Sequence, residues 1–164
     1  MNRVLIIYYS RTGNVEKMAR AVEEGVKEEG VAVEVKAVES VKVSDLLEAQ
    51  GIIIGSPTYY GGATAQIKSL LDRSVRYHGR FEGKVGAAFT SSANLGGGNE
   101  STILGILQAF LIHGMIVQGD HQGDHYGAVA LEAPDERAKS QCRRLGQRTA
   151  ALVKTLFTDE EESV

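Results

Sequence analysis

Residues Ser10-Arg11-Thr12-Gly13-Asn14 set two hydroxyls, a guanidinium, a glycine and a carboxamide between the apolar run VLIIYY (Val4–Tyr9) and a helical pattern. Backbone N–H groups of a strand-to-helix turn converge on one point, and the positive end of the helix adds its partial charge there. Ser10 and Thr12 can donate further hydrogen bonds, and Gly13 lets the main chain approach an anion without a Cβ in the way. The chemistry this suits is capture of a phosphate monoester. Neither the GxxxxGK spacing of a Walker loop nor the dinucleotide pattern GxGxxG is present. An ordinary capped turn uses the same residue types, so this loop alone leaves both readings open.

Two later loops carry similar material. SPTYYGGAT (Ser56–Thr64) pairs two tyrosines with two glycines, and TSSANLGGGNE (Thr90–Glu100) is rich in hydroxyls and glycine but holds no aromatic. Tyr59 or Tyr60 could stack on or edge against a flat ring. Asp120, His121, Asp124 and His125 form a D-H-x-x-D-H cluster whose ligand types would suit a metal. No third fixed element accompanies the cluster, so it is read as a polar loop and no metal is assigned.

The elements that must position these loops follow from hydrophobic patterning. VLIIYY, GIIIG (Gly51–Gly55), VGAAF (Val85–Phe89) and Met115–Val117 are continuous apolar runs, as expected of strands buried on both faces; VAVEVKAV (Val31–Val38) alternates, as expected of an edge strand. Between them Val15, Met18, Ala19, Val22 and Val26, then Ile67, Leu70 and Leu71, recur at helical spacing. Ser101–His113 is apolar nearly all round, and a last helical pattern starts behind Pro134 and Asp135. Strand–helix alternation implies right-handed crossovers and a parallel sheet covered on both faces. Ligands of such sheets bind outside the carboxyl ends of the strands, where the three loops fall.

Bulk properties narrow the function classes. The 164 residues suit one domain, 1–164, and 18 basic against 21 acidic residues give a net charge of -3 with no Lys/Arg cluster, so nucleic acid is not an expected partner. No apolar run approaches the roughly 20 residues that span a bilayer, so no membrane insertion is expected. The one cysteine, Cys142, is expected as a core residue in a reducing, cytoplasmic setting. The acidic run Asp159–Glu162 is expected to be a solvated, frayed end.

YYSRTGNVEKMA resembles the FMN-phosphate loop of the flavodoxin-like superfamily. SPTYYGGATAQIKSLLD (Ser56–Asp72), FTSSANLGGGNESTI (Phe89–Ile103), LIHGMIV (Leu111–Val117) and HYGAV (His125–Val129) are similar, in order and spacing, to the WrbA-type NAD(P)H:quinone oxidoreductases. The resemblance covers most of the chain from Val4 to about Val129. It implies a flavodoxin-like three-layer α/β/α sandwich with a five-stranded parallel sheet in the order 2-1-3-4-5. It also implies FMN, held at its phosphate by Ser10, Arg11, Thr12, Gly13, Asn14 and Val15. Val15 stands where many flavodoxins have a hydroxyl residue, which weakens one phosphate hydrogen bond.

The same resemblance places Pro57, Thr58, Tyr59, Tyr60 and Gly61 along the isoalloxazine. Ser91, Ser92, Ala93, Asn94, Leu95, Gly96 and Gly97 would offer backbone N–H groups to its pyrimidine edge. His113 matches a flavin-contacting histidine, either steering charge at the flavin edge or capping its helix, whose dipole would favour the protonated ring. Tyr77, His78, His125 and Tyr126 are candidate substrate contacts. NADH or NADPH would be the electron donor, a quinone the acceptor, and a homodimer or homotetramer the assembly, although the Val117–His125 connection is shorter than in most WrbA-like chains. Electron-carrier flavodoxins commonly sandwich the ring between two aromatics, the second from the third loop. Its absence favours an enzyme, and a one-electron carrier docking on redox proteins is the rival.

Overall fold

The computed structural model describes residues 1–158, so the Asp159–Glu162 run lies outside the described residues. Six strands, β1 (Arg3–Tyr8), β2 (Ala32–Ala37), β3 (Gly51–Pro57), β4 (Val85–Ser92), β5 (Ile116–Val117) and β6 (Val129–Leu131), form one sheet. Five helices cover it: α1 (Asn14–Glu28), α2 (Asp45–Glu48), α3 (Ala65–Arg73), α4 (Asn99–Ile112) and α5 (Glu136–Leu156). The order is β2-β1-β3-β4-β5 with every pairing parallel. This is the flavodoxin-like order read from the sequence.

The expected five strands become six because the fifth position is filled twice. β5 pairs with the start of β4 (Val85↔Ile116), and β6 pairs with its end (Thr90↔Val129 to Ser92↔Leu131). Residues 118–128 loop out between them, because Gly119, Gly123 and Gly127 among Asp and His residues do not suit a pleated strand.

Alternation along the central strands builds two cores. Val4, Ile6 and Ile53 face α1 and α5, whereas Leu5, Ile7, Ile52 and Ile54 face α2, α3 and α4. Glycines bring α1 and α5 into close contact: a Cβ on Gly146 would stand 2.1 Å from the Val22 carbonyl oxygen. β2 is partly exposed throughout, as its alternating sequence predicts for an edge. No helix among the described residues is long and apolar enough to cross a membrane.

The 118–128 loop is fastened to α5 by charge. Asp120 accepts two hydrogen bonds from Arg144, at 2.5 Å to Nε and 2.9 Å to Nη2, and one from the Gln122 N–H. Arg148 donates to the Gly119 carbonyl, and Arg137 reaches the Asp124 carboxylate at 2.8 Å. Both carboxylates of the D-H-x-x-D-H cluster are thus engaged by arginines. The Arg144 hydrogen bonds hold the Asp120 carboxyl far below the usual carboxylate range. A carboxyl lowered in the folded state stabilises fully above its unfolded value of about 3.9 and loses that contribution as pH falls below it. Asp120→Asn is therefore expected to lower stability in urea at pH 7 by about 1–3 kcal/mol. The gap to wild type should begin to narrow as unfolding is repeated from pH 5 toward pH 3, and a gap independent of pH would contradict the pairing.

Candidate functional site

β1 and β3 are adjacent, yet the chain leaves them toward opposite faces, into α1 and into α3. The crevice that opens there holds a cavity of about 280 Å3 lined by Ser10, Arg11, Thr12, Asn14, Val15, Pro57, Thr58, Tyr59, Ser91, Ser92, Ala93 and Glu132. At its first wall Gly13 adopts φ +91° and begins α1 with no side-chain cap. The first turn of the helix therefore presents N–H donors that no side chain claims. Ser10 Oγ accepts the Gly13 N–H at 3.1 Å, which leaves its own hydroxyl proton to donate. Val15 lines the cavity and is buried in the core behind it.

The second wall is built by hydroxyls at the ends of β3 and β4. Thr90, fully buried, donates to the Ser56 carbonyl at 2.6 Å and so accepts from Thr58 at 2.9 Å. Thr58 N–H continues the ladder to the Ser91 carbonyl at 2.8 Å. Tyr59 and Gly62 close a tight turn by two backbone bonds of 2.9 and 3.1 Å, which puts Tyr60 and Gly61 at its tip with φ +49° and +76°. Ser101 Oγ lies 2.6 Å from the Gly61 carbonyl, and a Cβ on Gly98 would come within 2.7 Å of Gly61 Cα. The second and third loops therefore hold each other in place.

Of the residues expected around a cofactor, Ser10, Arg11, Thr12, Asn14, Val15, Pro57, Thr58, Tyr59, Ser91, Ser92 and Ala93 line this one cavity. Tyr60 is fully exposed at the turn tip, and Leu95 and Gly96 face a neighbouring hollow of about 740 Å3 shared with His125 and Tyr126. His125 Nδ1 donates to the Asp120 carbonyl at 2.7 Å, which fixes that ring.

His113, Tyr77 and His78 are not brought to the cavity within one chain. α4 runs away from the strand ends for its 14 residues, about 20 Å, and His113 is its C-cap at the opposite end of the sheet. There His113 Nε2 lies 2.7 Å from Ser74 Oγ; that hydroxyl donates to the Leu71 carbonyl at 2.6 Å, so Nε2 carries the proton. Nδ1 is buried without a partner, and Phe81 packs edge-on against the ring. Burial, then the neighbouring His78, lowers the imidazole pKa, so the neutral ring prevails over the cation that the helix dipole alone would favour. Glu132 escapes sequence reading because it stands past a three-residue strand and its place in the cavity wall follows from a left-handed backbone conformation.

A flavodoxin family model matches residues 6–102. A flavodoxin of Aquifex aeolicus is 40% identical to this chain, covering 97% of it and 90% of the relative. The chain belongs to the flavodoxin family. An NAD(P)H dehydrogenase (quinone) of Archaeoglobus fulgidus is 35% identical over 95% of this chain and 100% of the relative. A flavodoxin, WrbA-like protein from Agrobacterium tumefaciens superposes with a TM-score of 0.83 over 96% of this chain and 100% of that one; at 24% identity this speaks for the fold alone.

Membership of the flavodoxin family implies a flavin, FMN, and the first wall of the cavity fits its phosphate: an uncapped helix start, two hydroxyls and Arg11. Ser10→Ala is accordingly expected to raise the Kd for FMN about tenfold while changing that for riboflavin, which lacks the phosphate, less than about twofold. Fluorescence-quenching titrations of both flavins measure this, and equal losses would remove Ser10 from the phosphate seat.

Proposed function

We propose that this flavodoxin-family chain is an FMN-dependent NAD(P)H:quinone oxidoreductase, taking two electrons from NADH or NADPH and passing them to a quinone in two successive half-reactions. The observation that carries this reading is the aromatic content of the cavity. Tyr59 is the one aromatic among its lining residues, and the loop Ser91–Gly98 holds none. A flat ring walled by an aromatic on one side only leaves its other face open to a second flat molecule at the roughly 3–3.5 Å that transfer needs. FMN, when bound, supplies the two-electron chemistry, and the protein supplies position and electrostatics.

The chain's own residues divide the work. Ser10, Thr12 and the start of α1 anchor the phosphate end, and the paired second and third loops fix the ring end. The hollow beside them, with Leu95, Ile103, Tyr126 and Leu131, offers apolar surface to an uncharged acceptor. A homo-oligomer is part of the proposal. α4 exposes Leu104, Leu111 and Ile112, which a second copy would cover. Light scattering should then give a mass above that of one chain, and a monomer mass at every concentration would remove this part.

A second reading, an electron carrier that docks on redox proteins, is favoured by the 40% identity to the Aquifex aeolicus flavodoxin over nearly the whole chain. Anaerobic mixing of FMN-loaded protein with NADH and then NADPH separates the two. The oxidoreductase loses its oxidised visible band in one two-electron step and regains it on adding benzoquinone. No bleaching by either nicotinamide, with chemical reduction proceeding through two separate one-electron steps, would establish the carrier.

A further inference from the structure

Two side chains in the first turn of α4 are buried with a polar atom that meets no hydrogen-bond partner among the described residues, Asn99 through Oδ1 and Thr102 through Oγ1. Asn99 is 7% exposed, and Thr102 is wholly buried. Three residues apart, they share one side of the helix. A buried polar group without a partner costs more than an apolar residue of the same size in its place, so packing alone does not account for a carboxamide here. The helix begins at Gly98 with φ +107° and no side-chain cap, and the Thr102 N–H takes the Gly98 carbonyl at 3.0 Å. The N–H groups of Asn99, Glu100 and Ser101 are therefore left for another acceptor.

Asn99 and Glu100 line the hollow of about 740 Å3, together with the apolar surface of Leu95, Ile103, Tyr126 and Leu131. The start of α4 also borders the cofactor cavity: a Cβ on Gly98 would lie 3.4 Å from Cγ2 of Thr58, which lines that cavity. Charge limits what the helix start can receive. Arg137 is taken up by Asp124 at 2.8 Å, and Glu100 and Asp135 add negative charge to the hollow, so an anion is disfavoured. An unpartnered carboxamide can turn about its terminal torsion and offer a donor, Nδ2, or an acceptor, Oδ1. Such donors between apolar walls and carboxylates suit the carbonyl oxygen of an uncharged, flat molecule, and the acceptor suits the hydroxyl which that oxygen becomes on reduction. We infer that Asn99 and the N–H groups at the start of α4 bind a carbonyl oxygen of the quinone acceptor, and that Asn99 sets the preference of the hollow for a quinone over a hydrocarbon of the same shape. This contact rests on the oxidoreductase reading and supplies it with a polar anchor. The positive end of the helix also favours the negative charge that the oxygen gains on reduction.

The test titrates 15N-labelled, FMN-loaded protein in the oxidised state with menadione and with 2-methylnaphthalene, which has the same frame without the carbonyls; amide resonances report binding without turnover. Menadione is expected to shift the Asn99 side-chain amide and the backbone amides of Asn99 and Glu100, and 2-methylnaphthalene to leave the side-chain amide in place. Asn99→Leu should raise the menadione Kd about fivefold to tenfold and change that of 2-methylnaphthalene less than about twofold. It should also keep or raise the urea midpoint, because an unpartnered amide has left the interior. Asn99→Asp, which keeps the shape but only accepts when ionised, should weaken menadione at least as much. Menadione that does not bind wild type, or binds without moving the Asn99 amide, would overturn the assignment. So would equal losses of both compounds in Asn99→Leu, which would make Asn99 a packing residue, and so would a lowered urea midpoint with menadione binding unchanged. Binding through Asn99 in a protein that neither nicotinamide bleaches would support this contact while removing the oxidoreductase reading.

Discussion

The parting of the chain at the ends of β1 and β3 is the constraint on which the rest depends. Parallel strands must be joined by right-handed crossovers, so reversing the direction of winding between two neighbours sends α1 and α3 to opposite faces. No helix can then cover the gap between them. The carboxyl edge of the sheet stays open at that one place, and the open start of α1 points its donors into it. Buried Ile6, Ile7, Ile53 and Ile54 make the two central strands rigid immediately behind the opening. A binding site is thus set on the least deformable part of the molecule, whereas its specificity is left to loops.

Those loops are not independent. The turn at Tyr60–Gly61 is pressed against Gly98 and bonded by Ser101, at the start of α4. Thr58 and Thr90 tie the ends of β3 and β4. A substitution in the third loop would therefore move the tyrosine wall as well as the wall it belongs to. By contrast the 118–128 loop answers to α5 through arginines and carboxylates, so charge adds to the packing of Gly127 and Ala128 in setting its position. One end of the sheet carries two differently supported surfaces, a hydroxyl-lined cavity and a more apolar hollow, and they meet between Ala93 and Leu95.

Much of this was legible in the sequence. The apolar runs located the central strands, the alternation in VAVEVKAV marked the edge strand, and the hydroxyl–glycine turn behind VLIIYY marked one wall of the cavity. Three features were not. α2 and β6 are too short, at 4 and 3 residues, to show a period. Glu132 owes its place to a backbone conformation that no side-chain pattern announces. The role of His113 comes from the resemblance alone, and within one chain a residue ending the helix after β4 returns to the far edge of the sheet. There the ring packs against Phe81, and burial lowers its pKa against the pull of the helix dipole.

The central claim is that the start of α1 receives the cofactor's phosphate as a dianion. Helix-end donors and the dipole favour the more charged form, whereas a free phosphate monoester gains its second charge near pH 6. The direct measurement is the 31P resonance of bound FMN followed from about pH 5 to 8, across that free value. The account predicts a chemical shift that stays at the dianion position throughout. A resonance that titrates as free FMN does would contradict it, and would place the phosphate in solvent rather than on the helix.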